Sequence, residues 1–526
     1  MLIQIVLLIS IALLVFIYIT RKNNEAYWTK RGVKFNDRNK ITGPLWDFLT
    51  SNKPLFQILD EIYKKYRDEP AVGIGGLLTP TLLVNDATNI QHLFQTDFKS
   101  FNHRGFEVND GDHLADNILF MNGNRWKLVR QSMTPVFTSA KLKKMFYIMD
   151  KSGKDFVDYI KDNTLRLNKD AFHSISTYCC ASIGAAVFGI VSESVFDSPF
   201  LDVAKRAANL SFWTNFKFSL MILSPWLSKK LNFKIFSEHE EFFIGAMKRI
   251  IRQREQEHGQ KHDFADICVS LQRSGTLKDR ETGLELEPTD ELLSGQAFFF
   301  FTAGVDPSAA SIYACLLELG RHPEHLQKVH DEIDSTFEAL GGKLTYESVM
   351  DMEYLEKVLC ESLRLWPPIG NLSRQCVEDT VLPVGNIKIE KGTKVFVPVY
   401  QLHHDPKHYP DPEVFDPERF ASEAARDNSI YMPFGKGNRL CVGMRFASEA
   451  ARDSGVYMPF GKGNRLCVGM RFARLQVKTG LIYFLRHFTV KTEIHGDTIK
   501  FKKELVQLRP SNVDITFIPR KNVKTL

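Results

Sequence analysis

The sequence predicts a mainly α-helical protein with small β-sheets, preceded by one N-terminal transmembrane helix. Three observations carry this. Met1–Thr20 is apolar apart from Gln4, Ser10, Tyr18 and Thr20. Helical apolar spacing dominates from about Asp86 to Asp334. Strand-like alternation is confined to short runs near both ends of the main body.

A helix over Met1–Thr20 is roughly 30 Å long, about one hydrocarbon thickness. Arg21, Lys22, Lys30, Arg31 and Lys34 come after it, and no charged side chain precedes it. That asymmetry places the body of the protein in the cytosol. A cleaved signal peptide fits less well: the segment has no basic start, is long for an apolar core and lacks a small-x-small cleavage site. No second span of this length is expected. Glu25–Thr42 is polar, so 21–42 is expected as a linker and 43–526 as one catalytic domain.

Within that domain, Pro54–Lys64 has helical spacing, and Val72–Leu83 reads as strands around Gly-rich turns. Leu210–Phe236 mixes aromatic residues with Lys217, Lys229, Lys230 and Lys234. It is either two packed helices around Pro225 or a hairpin that dips into the membrane interface. Ser294–Leu319 is apolar on nearly all faces and should cross the interior as a helix. Pro307 lacks an N–H and should kink or widen that helix. Pro323–Leu340 and Thr345–Leu365 read as helices, Val381–Pro398 and Ser511–Pro519 as strands.

The hydrophobic share of 44% supports a large core, and 40 Phe suit an apolar cavity as well. A net charge of +6 without a long basic run gives no reason to expect a nucleic-acid partner. Eight Cys in 526 residues, two of them adjacent (Cys179, Cys180), do not resemble a disulfide framework and suit a reducing compartment. His403, His404, Asp405 and His408 lie together in a Pro-rich loop, where a metal site is not expected.

One unit occurs twice. Arg419–Met444 and Arg445–Met470 repeat with a period of 26 residues and differ only at Asn428/Ser454, Ser429/Gly455 and Ile430/Val456. Each copy holds FGKGNRLCVG, a cysteine in a glycine-rich turn with an arginine two residues before it. The second copy runs into an amphipathic helix, Met470–Phe488. A thiolate at a helix N-terminus is favoured by free N–H groups and the macrodipole. A lone cysteine does not make a zinc site, but it suits a haem iron, whose porphyrin supplies the other in-plane donors.

These residues resemble the cytochrome P450 family, specifically its microsomal, insect-like members, over nearly the whole chain. The loop pattern F-x-x-G-x-R-x-C-x-G is met by Phe460, Gly463, Arg465, Cys467 and Gly469, and again by Phe434, Gly437, Arg439, Cys441 and Gly443. E-x-x-R appears as Glu361 and Arg364, and P-E-R-F as Pro417–Phe420. The resemblance implies the cytochrome P450 fold and haem b with a thiolate ligand. Cys467 is the expected ligand and Cys441 the alternative, because only Cys467 precedes the full helix. It also implies a buried triad of Glu361, Arg364 and Arg419. Trp126 and Arg130 in NRWKLVRQ, Arg374, Arg104 and the Arg before the ligand are the implied haem-propionate contacts.

The oxygen-activating pattern [AG]-G-x-[DE]-T-[ST] reads Ala303, Gly304, Val305, Asp306, Pro307, Ser308, with Pro307 in place of Thr. Asp306 and Ser308 are the implied catalytic residues. The implied activity is a monooxygenase that hydroxylates or epoxidises small lipophilic molecules. Its electrons would come from NADPH through a reductase docking near Lys127, Lys141, Lys143 and Lys144. The implied location is the endoplasmic reticulum membrane. Pro307 keeps a haem-thiolate isomerase or dehydratase open, and the duplication keeps an impaired haem-binding protein open. Substrate contacts are expected from Glu107–Phe120, Leu210–Leu223, Phe298–Ala303 and Pro368–Leu372, with some of Phe298–Phe301 facing the pocket.

Overall fold

The computed structural model describes residues 2–76, 79–161, 168, 170–189, 212–223, 225–257, 263–421, 470–505 and 507–521. Its first element is a helix, Leu2–Thr29, whose apolar part is almost wholly exposed and long enough to cross a membrane. That is consistent with a membrane anchor. The helix does not stop at Thr20, as the linker expectation required. No Gly or Pro occurs before Gly32, which takes a φ of 73° and ends the run. Thr20, Asn24 and Trp28, spaced by four, form one buried face. Asn24 Nδ2 donates to the carbonyls of Lys40 and Ile41.

Two further helices are long and apolar enough to span a membrane, contrary to the single-span expectation: Ala171–Phe188 and Asp290–Arg321. Both are 78% buried inside the protein and pack against each other. The central helix, Asp290–Arg321, is capped by Thr289, whose side chain accepts from the Leu292 N–H. It continues through Pro307 as a single helix. Contacts with the Ala171–Phe188 helix and the Phe488–Ile494 strand outweigh the one lost backbone bond. Phe298–Phe301 are all buried. Phe300 packs on Phe264 and Phe301 on Phe188 and Phe243.

The expected helix over Thr345–Leu365 is two, Tyr346–Met350 and Glu353–Leu365. The break is stabilised from a distance, because the buried Lys478 ammonium donates to the carbonyls of Met350 and Met352. Lys478 belongs to the helix Met470–His487, which ends one residue before Phe488, the first residue of a strand. That helix is fixed on several sides. Arg474 pairs with Glu356, and Gln476 Nε2 donates to the Cys179 carbonyl and Ser182 Oγ. Gly480 lets the Tyr178 ring approach.

The main sheet has four strands in the order Ala71–Gly73, Thr81–Val84, Lys394–Val397, Leu372–Gln375. The first and last pairings are antiparallel and the middle one is parallel. Phe488–Ile494 and Val513–Pro519 form a separate hairpin. Of Leu210–Phe236, the described part contains helices Phe212–Leu223 and Pro225–Lys230, with Trp213 and Phe216 exposed.

The Glu353–Leu365 helix carries the densest polar contact. Arg364 is fully buried and donates through Nε and Nη2 to the two Glu361 carboxylate oxygens at 2.7 and 2.8 Å. Its other donors reach the carbonyls of His403, Pro412 and Val414. The Asp416 N–H also donates to Glu361 at 3.0 Å. Arg419 completes the expected triad as an ion pair at 3.5 Å. Burial pushes the Glu361 carboxyl above its ordinary value, and Arg364 pulls it back.

Stability measurements test this packing at two places. Glu361→Gln leaves Arg364 buried without a counter-charge and should destabilise the protein by about 3–5 kcal/mol, read by denaturant unfolding. A Cβ at Gly480 would lie 2.5 Å from the Tyr178 ring, whereas one at Gly245 meets nothing within 4 Å. Gly480→Ala should therefore cost about 1–3 kcal/mol, and Gly245→Ala should stabilise by about 0.5–1 kcal/mol.

Candidate haem site

Two arginines are brought together by strand pairing. The Gln375 N–H donates to the His103 carbonyl at 3.0 Å, and Ser373 Oγ donates to the Arg104 carbonyl at 3.3 Å. Arg374, between these two residues, is buried with its guanidinium 4.5 Å from the Phe94 ring. Its Nη1 donates to the Ser373 carbonyl. Burial, then the nearby charge of the half-buried Arg104, holds Arg374 well below the ordinary arginine range. No carboxylate pairs with Arg374 among the described residues. A buried cation beside a like charge is costly, and an anion is what it lacks.

Trp126 and Arg130, on the helix Gly123–Met133, form a second pair. Both are buried, with the Arg130 guanidinium 5.5 Å from the Trp126 ring. They line a cavity of about 390 Å³ whose other walls are mostly polar, among them Gln95, Lys99, Asn102 and Lys127. Arg374, buried near Arg104 with its Nε unpartnered among the described residues, fits an anionic group such as a haem propionate, and Trp126 and Arg130 offer a ring and a second buried cation. Lys394, also buried, stands on the neighbouring strand, and burial moves it down to about 8. Nothing in the local sequence marks it.

The middle of the central helix has an accessible face. Thr302, Ala303, Gly304 and Pro307 are only half-buried, while Val305, Asp306, Ser308 and Ala309 around them are buried. The structure does not bring Asp306 and Ser308 together. Two positions on a helix are about 200° apart around its axis. Ser308 Oγ has no hydrogen-bond partner among the described residues. The Asp306 carboxylate turns to the C-terminal loop, where it accepts from Gln507 Nε2 at 3.3 Å and stands 3.6 Å from Arg509. Burial raises its proton affinity, against Arg509 and Gln507. No local pattern marks either partner.

Both loop cysteines, Cys441 and Cys467, lie outside the described residues, as do Phe460, Gly463, Arg465 and Gly469. The other six cysteines are buried. Burial pushes the Cys315 thiol up to about 12 and Cys376 to about 11, and it raises Cys179 and Cys268 well above their ordinary value. None of these four is a ready thiolate.

Aromatic rings link three of the expected substrate segments. Phe106, Phe120 and Phe218 stand 5.7–5.8 Å apart, and Phe236 bridges Phe120 to Phe298. On the basic face, Lys127 pairs with Glu281 and Lys143 with Glu347, so two of the expected docking lysines already have counter-charges. The histidine-rich loop is held by other contacts. Asp405 accepts from Tyr63 and Arg67, and His403 and His404 face the carbonyls of Arg364 and Tyr400.

The cytochrome P450 family profile matches residues 36–452 and 445–517, two overlapping stretches that between them contain both copies of the repeat. Cytochrome P450 6B2 of Helicoverpa armigera is 33% identical over 437 residues, 82% of this chain and 86% of that protein. Cytochrome P450 6k1 of Blattella germanica is 31% identical over 504 residues, 92% of this chain and 91% of that one. Probable cytochrome P450 6a13 of Drosophila melanogaster is 31% identical over 500 residues, 93% and 92% of the two chains. With a profile match over most of its length and a buried cation fit for its cofactor, the chain belongs to the cytochrome P450 family of haem-thiolate monooxygenases.

Proposed function

We propose that this protein hydroxylates or epoxidises small lipophilic molecules at the cytosolic face of the endoplasmic reticulum membrane. It does so with electrons from NADPH through a membrane-bound reductase and with Cys467 as the haem ligand. The observation that carries the reading is the buried Arg374 with Arg104 near it and no carboxylate partner among the described residues, in a chain of this family. When bound, the haem supplies reductive O2 activation, which the thiolate favours by donating electron density. The rest falls to the protein. Arg104, Arg130 and Arg374 would hold the propionates by charge, with Trp126 as an apolar neighbour. The rings of Phe106, Phe120 and Phe218 give an apolar wall that excludes water and receives a lipophilic substrate. Asp306, whose proton affinity burial raises against Arg509 and Gln507, would take up and release a proton from the loop side of the central helix.

The preference for Cys467 rests on the residues downstream of each copy. After the second copy come Arg474, Gln476 and Lys478, each bonded in the core. At the same places after the first copy stand Ser448, Ala450 and Arg452, which repeat none of them. The longer connection from Phe420 costs little, since loop closure adds about 0.6 kcal/mol per doubling of length. The first copy then acts as an insertion.

Pro307, which has no hydroxyl to offer, favours a second reading, a haem-thiolate isomerase or dehydratase. NADPH consumption with reductase over a lipophilic panel, against rearrangement of hydroperoxides without reductase, separates the two.

Cys467→Ser should abolish the thiolate-type Soret maximum of the reduced, carbon monoxide-bound protein, while Cys441→Ser keeps it; the opposite pattern reverses the assignment. Arg374→Met removes a charge-assisted contact worth about 1.5–3 kcal/mol, so haem retention should fall roughly 10–100-fold. The apoprotein should unfold no more easily than wild type, because the lost charge was buried beside another.

A further inference from the structure

We propose that Arg509 and Glu504, on the loop before the last strand, are positioning residues that hold the Asp306 carboxylate and connect it to solvent. In this chain the loop then governs proton supply to the site, where position 307 offers no hydroxyl. The inference rests on the monooxygenase reading above.

The geometry is a short ladder. Arg509 stands 3.6 Å from Asp306 and donates through Nη2 to Gln507 Oε1 at 3.0 Å. Gln507 donates in turn to Asp306 at 3.3 Å. On its other side Arg509 forms an ion pair with Glu504 at 3.3 Å. Side-chain exposure rises along the series, from 10% at Asp306 through 12% at Arg509 to 25% at Glu504. The guanidinium is braced 4.4 Å above the Phe172 ring, which packs against Tyr313 of the central helix. The loop is also tied to the expected substrate side: Gln507 bridges to Ile369, and Leu508 packs on Gly370.

The charged and titratable groups facing Asp306 are Arg509 and Glu504 from this loop and Cys179 from the Ala171–Phe188 helix. Cys179 is neutral, since burial raises its thiol well above the ordinary value. Burial raises Asp306 and Glu504 as well, and Arg509 opposes both. A guanidinium keeps its protons, so Arg509 does not relay; it orients the two carboxyls that do exchange them, Asp306 on the interior side and Glu504 on the more exposed side. A donor of this kind works while protonated, so its rate falls as pH rises through its pKa. Removing Arg509 takes away the group that lowers that pKa, and the fall moves to higher pH.

The test compares two oxygen sources in the full-length protein with reductase. With NADPH, one O2, two electrons and two protons give one hydroxylated product and one water. With cumene hydroperoxide, the peroxide delivers its oxygen to the same substrate and leaves as the alcohol, with no proton drawn from solvent. For Arg509→Gln the NADPH-supported rate should fall at least about tenfold relative to the hydroperoxide-supported rate. The alkaline limb of the NADPH-supported rate should move up by about one pH unit. Arg509→Lys should restore most of the ratio, and Glu504→Gln should lower it in the same sense. Equal loss of both activities in the Arg509→Gln and Glu504→Gln proteins, or an unchanged ratio and pH profile, overturns the inference alone. Wild-type protein that oxidises substrate from neither source overturns the proposed function and this inference with it.

Discussion

Arg364 sits in the interior with no exposed side-chain surface, and its donors go to Glu361 and to three carbonyls of the segment 403–414. Charge at this depth is tolerable only when every donor has an acceptor. Satisfying it fixes where the Glu353–Leu365 helix stands against the chain leading to Pro417–Phe420. Arg374 is the contrast. It is also deeply buried, has a like charge for a neighbour and no carboxylate among the described residues. One arginine has all its donors satisfied within the chain, and the other keeps an unpartnered Nε and no carboxylate among the described residues. That difference separates scaffold from site.

The helix Met470–His487 obeys the same constraint. It is apolar enough to be buried, yet it carries Arg474, Gln476 and Lys478 inward. Each meets a partner: Glu356, the Cys179 and Ser182 groups, and the broken end of the Tyr346–Met350 helix. A polar residue bonded in the core specifies register, since shifting the helix by one residue would orphan all three. The duplicated segment therefore enters a fold whose downstream half is already pinned.

Much of the fold was legible because the signals are local. The long helices arise from apolar spacing and the strands near both ends from alternation, while the buried Glu361–Arg364 pair was expected from motif resemblance. Arg419, Trp126, Arg130 and Arg374 came from motif resemblance, and the structure places Arg419 by Glu361, Arg130 by Trp126 and Arg374 by Phe94. What was missed depends on distant contacts. The anchor helix continues to Thr29 because Trp28 and Asn24 find places in the domain. The Thr345–Leu365 break depends on Lys478, more than a hundred residues away. The Phe298–Phe301 run is buried because rings from elsewhere in the chain, such as Phe188, Phe243 and Phe264, cover it. Asp306 meets Gln507 from 201 positions along the chain. No pattern within a window reports such pairings.

The central claim is that buried Arg374, with Arg104 beside it, awaits the carboxylates of a haem. Titrating the apoprotein with haem and with haem dimethyl ester, whose propionates carry no charge, tests it most directly. Wild type should bind haem at least about tenfold more tightly than the ester, and Arg374→Met should narrow the gap. Equal affinity of the wild-type protein for the two would contradict the claim.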